Sequence, residues 1–242
     1  MVRSSDTDVL IILLDLVGRS DDLSIIMGYG QANYRRYINV SNLAACLEEK
    51  QSGITGALIG LHSLIGCDFT SSFSRKGKAR PFELLESDVS GRYIMALQSL
   101  TSEEVDMAAV TSYVCWLYGF KTNDVNEARY MAFLCMSGGN QKVSLSKIKE
   151  KINCGALPPC SKTLQNHIKR SHFVAMMWKN ADKPDPLQGR SPLNYGWKMS
   201  EGGLEAEWFP GHPIPESITD PLENHVGMAE SVPEEYEESD NA

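Results

Sequence analysis

Asp6 and Asp8 stand one residue apart in SSDTDVL, directly before the apolar run over residues 9–14. Carboxylates at that spacing offer two chemistries. One is the edge of a divalent-metal site, since magnesium takes hard oxygen ligands. The other is a helix start, where a short acidic side chain accepts hydrogen bonds from unpaired backbone N–H groups. A second set, Cys154, Cys160, His167 and His172, carries zinc-ligating residue types in the pattern C-x5-C-x6-H-x4-H. Its cysteine-to-histidine spacing is short for a zinc finger, and Pro158 and Pro159 stiffen the loop between the cysteines. Two histidines five apart on one helix also lie off a common face. The preferred reading there is a packed helix over residues 162–179, with Leu164, Ile168, Ala175 and Trp178 as its buried stripe and the histidines on its flanks.

Three regions position these groups. Residues 1–100 alternate apolar runs with Gly- and Asp-containing turns, as in an α/β layer. IIMGYG and RRYINV read as strands, SNLAACLEEK and GALIGLHSLIG as helices, with Ser41 as the N-cap of the first. Residues 101–215 form a mainly helical region. Thr101 with Glu104, and Asp124 with Glu127, are spaced as capping boxes before VDMAAVTSYVCWLYG and ARYMAFLCM, and Gly119 and Gly138-Gly139 end those helices. WKMS and LEAEWF form a short hairpin. Residues 216–242, acidic and poor in apolar side chains, read as a disordered tail.

Charge and cysteine usage narrow the class. The net charge of -8 comes from the tail, which holds nine acids and no Lys or Arg, leaving 22 acids against 23 bases before it. A lysine-rich block over residues 141–183, including Arg170 and Lys179, faces either nucleic acid or solvent. The first apolar run is too short for a membrane span or a secretory signal. Six cysteines form no CxxC pair, which favours reduced thiols in an intracellular protein. Nucleotide-binding and serine-hydrolase glycine motifs are absent, so neither chemistry finds a foothold.

The segment LIGCDFTSSFSRKGKARPFELL, residues 64–85, resembles the helix-two-turn-helix of the flap-endonuclease group of PIN-like 5′ nucleases. There a Gly-x-Asp opens a helix and a Gly-rich turn follows. SSDTDVLIILL is similar to the same family's Asp-x-Asp at a strand end, whose second aspartate begins a helix. The resemblance implies a partial PIN-like (Rossmann-like) α/β nuclease fold over residues 1–100. It implies Asp6, Asp8 and Asp68 as catalytic ligands of Mg2+ or Mn2+, and Arg75, Lys76, Gly77, Lys78 and Arg80 as contacts to the DNA backbone without base reading. Ser71, Ser72 and Ser74 depart from the family's glycine-rich turn.

The family's site also draws on an aspartate and a Glu-rich helix that precede the Asp-x-Asp, and only Met1 to Ser5 stand before Asp6. The expectation is therefore a catalytically incomplete remnant of a magnesium-dependent, structure-selective 5′ nuclease, binding at most nucleic acid or protein. The alternative is an active two-metal nuclease completed by a protein partner, a dimer or a missing N-terminal segment. SYVCWLYG, VNEARYMAF, LPPCSKTLQNHIKRSHFVAMMWKNA and YGWKMSEGGLEAEWFPGHPIPES look like the C-terminal region of uncharacterised, transposon-associated animal proteins. That implies a mobile-element origin, and the localisation expected for the chain is intracellular, nuclear rather than cytoplasmic.

Overall fold

The computed structural model describes residues 1–20, 22–137 and 153–211. Within them the chain is mixed α/β and mainly helical, as the patterning suggests. Met1–Trp208 form one compact unit, so the boundary expected at residue 100 falls inside it. A second unit, Phe209–Ala242, is described only at residues 209–211, and the tail expected from 216 lies outside the described residues. No helix among the described residues is long and apolar enough to cross a membrane.

The chain opens with β1 (Val2–Arg3), α1 (Thr7–Gly18) and β2 (Ile26–Tyr29), a parallel βαβ unit with Val2 opposite Met27. β3 (Arg36–Asn39) adds an antiparallel edge, Ile26 facing Asn39. Only Met27 and Gly28 of β2 are buried. The sheet is a small flap on a helical body.

That body is built around α3 (Ile54–Ile65), whose residues are nearly all buried. It packs against α1, α2 (Val40–Lys50), α5 (Arg92–Ser99) and α8 (Ser161–Lys179). Gly60 is what lets α5 approach: a Cβ there would lie 2.0 Å from the Leu97 carbonyl oxygen. α4 (Ala79–Glu86), α6 (Met107–Leu117) and α7 (Val125–Ser137) complete the bundle. β4 (Trp197–Ser200) and β5 (Gly203–Ala206) make the expected hairpin, Trp197 opposite Ala206.

Local rules explain the helix starts better than the capping boxes did. α2 is capped by Asn39, which accepts from Asn42 N–H at 3.0 Å. Ser41 instead lies inside the helix and ties it to the preceding loop, accepting from Ile25 N–H and donating to Leu23 C=O, both at 3.1 Å. α6 starts at Asp106, whose carboxylate accepts from Ala109 N–H, while the Thr101 hydroxyl donates back to Gln98 C=O. Asp124 does serve the start of α7, accepting from Asn126 N–H at 2.8 Å, and the Glu127 carboxylate is held by the Thr122 hydroxyl. Gly119, at φ +92°, follows α6 as expected, and Gly138-Gly139 lie outside the described residues.

α8 carries the stripe read from the sequence, with Leu164, Ile168, Ala175 and Trp178 all buried. Its histidines are buried too, and not on the flanks. His167 Nε2 donates to Leu64 C=O at 2.7 Å, and His172 Nδ1 donates to Leu100 C=O at 2.9 Å. Leu64 lies in the last turn of α3 and Leu100 is the residue that caps the end of α5, where helix C=O groups lack intrahelical partners. α8 therefore caps two helix ends with imidazole N–H groups. Nor is the basic block one solvated face: Arg170 is buried, and Lys179 Nζ reaches the buried Asp15 at 2.7 Å. Arg19 holds the second oxygen of Asp15 at 2.8 Å, so a carboxylate 1% exposed is paired on both sides.

Candidate functional site

β1 delivers the chain to Asp6 and Asp8, at the carboxyl end of a strand, where open α/β sheets place their sites. Asp6, not Asp8, begins the helix: its carboxylate accepts Asp8 N–H at 2.9 Å and caps α1. Asp8 sits in the first turn and turns inward. Its Oδ1 lies 2.7 Å from His62 Nε2, on a side chain only 5% exposed. Lys78 Nζ lies 3.3 Å from His62 Nδ1 and 3.4 Å from Nε2, and the Trp178 ring lies 5.6 Å from the imidazole.

The three polar groups come from three helical segments. Asp8 is on α1, His62 on α3, and Lys78 is the residue before α4. The imidazole stands between them: Nε2 faces the Asp8 carboxylate, which can only accept, and the Lys78 ammonium, which can only donate, lies beside both ring nitrogens. His62 and Lys78 also line a cavity of about 200 Å³ whose other walls are mostly apolar, Ile11, Leu58 and Phe82 among them. Such walls suit an aliphatic group better than a phosphate.

His62 escaped the sequence reading. The available signal was a lone imidazole inside the apolar run GALIGLHSLIG, a polar group that burial obliges to find a partner.

Asp68 goes elsewhere. It is exposed just past the end of α3, while the neighbouring Thr70 hydroxyl donates to Ser63 C=O at 2.7 Å. Among the described residues no group of three or more His, Cys, Asp or Glu side chains is placed to hold a metal ion. Asp6, Asp8 and Asp68 are thus not gathered, and neither are Cys154, Cys160, His167 and His172. The residues present do not fit a two-magnesium centre. Asp6 caps α1, Asp8 is committed to His62, and the Lys78 ammonium lies beside that same imidazole.

The basic turn is organised differently. Residues 74, 75, 77 and 78 are exposed between α3 and α4, and residues 79 and 80, also exposed, open α4; Arg75 lies in the left-handed region at φ +58°. Lys76 Nζ stands 4.5 Å over the Tyr118 ring. Burial, and then the nearby Arg80 charge, pull its ammonium below the ordinary range. Gly77 has open space around its α-carbon, and Arg80 makes only a loose 3.7 Å pair with Glu83. Cations are crowded here with little countercharge.

Comparisons with protein-family models, curated proteins and solved structures return no match. The functional reading therefore stands on the geometry and on the resemblance carried by the two aspartate motifs.

Proposed function

We propose that this chain is a catalytically incomplete derivative of a structure-selective 5′ nuclease, of mobile-element origin, that retains contact with the nucleic-acid backbone through the turn over residues 75–80. The observation that carries this reading is Arg75, an exposed, non-glycine residue in a left-handed conformation between two helices. L-residues adopt that conformation at a cost of about 1–2 kcal/mol, and strain of this kind collects at functional positions. Arg75, Lys76, Lys78 and Arg80 then present positive charge at one exposed turn, where phosphate contacts position a duplex without reading its bases. The Asp8–His62–Lys78 chain supports the non-catalytic half of the reading. It commits the strand-end carboxylate to an internal contact with His62.

The test is fluorescence anisotropy of a labelled 5′-flapped duplex over a series of salt concentrations, with magnesium-dependent cleavage assayed on the same samples. If all four cations engage phosphates, log affinity falls against log salt with a slope of roughly -3 to -4. Each cation-to-alanine change lowers that slope by about 1. Binding that ignores salt would retire the backbone reading. Magnesium-dependent cleavage abolished by Asp8→Asn would restore the alternative, an active nuclease completed by a partner.

A further inference from the structure

A cavity of about 230 Å³ lies between the serine run after Asp68 and the N-terminal half of α8, lined by Ser71, Ser72, Thr163, His167, Arg170 and Trp208 among others. Its unusual wall is Arg170. This side chain is 2% exposed, yet carries a guanidinium whose Nη2 has no hydrogen-bond partner among the described residues. Nη1 is fully used, donating at 2.9 Å to both Gly196 C=O and Glu207 C=O. Gly196 can come that close because it lacks a side chain: a Cβ there would meet Asn166 C=O at 2.9 Å, at a φ of +78°. The chain folds back to hold one end of the guanidinium and leaves the other end free.

A buried donor on a charged group that makes no hydrogen bond is among the most unfavourable arrangements a fold can keep. The Glu207 carboxylate, held by Asn166 Nδ2 at 3.2 Å, raises the Arg170 pKa, but burial outweighs it and the net shift is downward. His167 adds no charge. Its Nε2–H is committed to Leu64 C=O, and its Nδ1 faces the Ser71 hydroxyl at 3.4 Å. What lines the cavity is thus one under-compensated cation and several hydroxyls, with the exposed Trp208 indole 5.3 Å from the Arg170 Cζ. At roughly 30 Å³ per water, the space holds several waters or one compact oxyanion with its hydration.

We propose that this cavity is a phosphate-binding site, in which a tetrahedral oxyanion takes the free Nη2 of Arg170 and the hydroxyls of Ser71 and Ser72, with Trp208 as its movable outer wall. Charge-assisted hydrogen bonds from a guanidinium fork and from hydroxyls are what a phosphate dianion recruits. The phosphate is either free or the terminal phosphate of a nucleic-acid strand. Ser74 lines both this cavity and the neighbouring one beneath Arg75 and Lys76, so a strand tracking the basic turn has a route to it. The free-phosphate case does not depend on the turn binding anything.

The experiment titrates the full chain with inorganic phosphate, reading heat by calorimetry and tryptophan fluorescence in parallel. The expected result is saturable one-to-one binding with a fluorescence change that Trp208→Phe abolishes while the heat remains. Arg170→Lys weakens binding at least about tenfold, the worth of one charge-assisted hydrogen bond. Should that variant fail to fold, Ser72→Glu places a carboxylate at an exposed rim position and lowers affinity by a similar factor, leaving the packing intact. Oligonucleotides with and without a terminal phosphate then separate the sources. A preference for the phosphorylated strand, competed by free phosphate, assigns the strand end, and no preference assigns the free anion. No saturable heat from folded protein, or unchanged affinity in Ser72→Glu, overturns the proposal.

Discussion

Replacing Asp8 with alanine separates a bracing carboxylate from a catalytic one. The change removes the carboxylate that accepts from His62 Nε2, leaving the Lys78 ammonium, itself a donor, beside an imidazole 5% exposed and packed near Trp178. Leaving a buried donor unpaired costs about 1–3 kcal/mol. Alanine's better helix propensity and the loss of an acidic group from the first turn of α1 act in opposite directions and largely cancel. The net expectation is about 2 kcal/mol, or a fall in Tm of roughly 4–8 °C for a unit of this size. A double-mutant cycle with His62→Leu makes the assay specific: the cost of Asp8→Ala shrinks once the imidazole is gone, giving a coupling of at least about 1 kcal/mol. DNA affinity, measured in folded protein, stays within about twofold, because Asp8 is partly buried against His62 and outside the basic turn. Additive effects in the cycle would refute the reasoning. So would an unchanged Tm accompanied by loss of a magnesium-dependent cleavage.

Three further outcomes follow from particular contacts. Gly60→Ala sets a Cβ against the Leu97 carbonyl, a backbone atom that no rotamer change can move, and forces α3 and α5 apart. The overpacking cost, near the top of the usual 1–3 kcal/mol, exceeds the helix-propensity gain of about 1 kcal/mol, so urea denaturation shows a net loss of roughly 2 kcal/mol. Burial holds His167 down to about 4 from an ordinary 6.5, so between those pH values the unfolded chain takes up a proton that the folded one refuses. Stability therefore falls as pH drops through this window, by about 3 kcal/mol in total, with burial of His172 acting in the same direction. His167→Gln, which keeps an N–H for Leu64, flattens the dependence of the urea midpoint on pH. Arg75→Gly relieves the left-handed backbone and raises stability by about 0.5–1 kcal/mol while weakening DNA binding. If stability and affinity fall together in that variant, the strained position is structural.

The readable part of the fold was the part governed by local pattern. β2 and β3 declared themselves through aromatic and β-branched residues, α2, α3 and α8 through apolar spacing, and the β4–β5 hairpin through the short pair WKMS and LEAEWF set between Pro- and Gly-rich connections. Helix starts were harder, because several residues near each start can cap and tertiary contacts choose among them. Ser41 was drawn inward to the loop at Leu23 and Ile25, and Asn39 took its place. The candidate site was the least readable. Asp8 meets a histidine 54 positions away, and the two α8 histidines meet helix-end carbonyls 103 and 72 positions away. No spacing rule reaches across such separations.

The double pairing of Asp15 also constrains the order in which the chain can be completed. Its partner Lys179 follows 164 residues later, in the last turn of α8. During synthesis from the N-terminus, α1 is made long before that ammonium exists, and an Asp15 buried early would have only Arg19 beside it. A half-paired buried carboxylate is costly, so the seating of α1 on α3 gains its full stability only once α8 is in place. A chain cut short within α8 leaves the same carboxylate with Arg19 alone, and the expected outcome is faster proteolysis within its first helix.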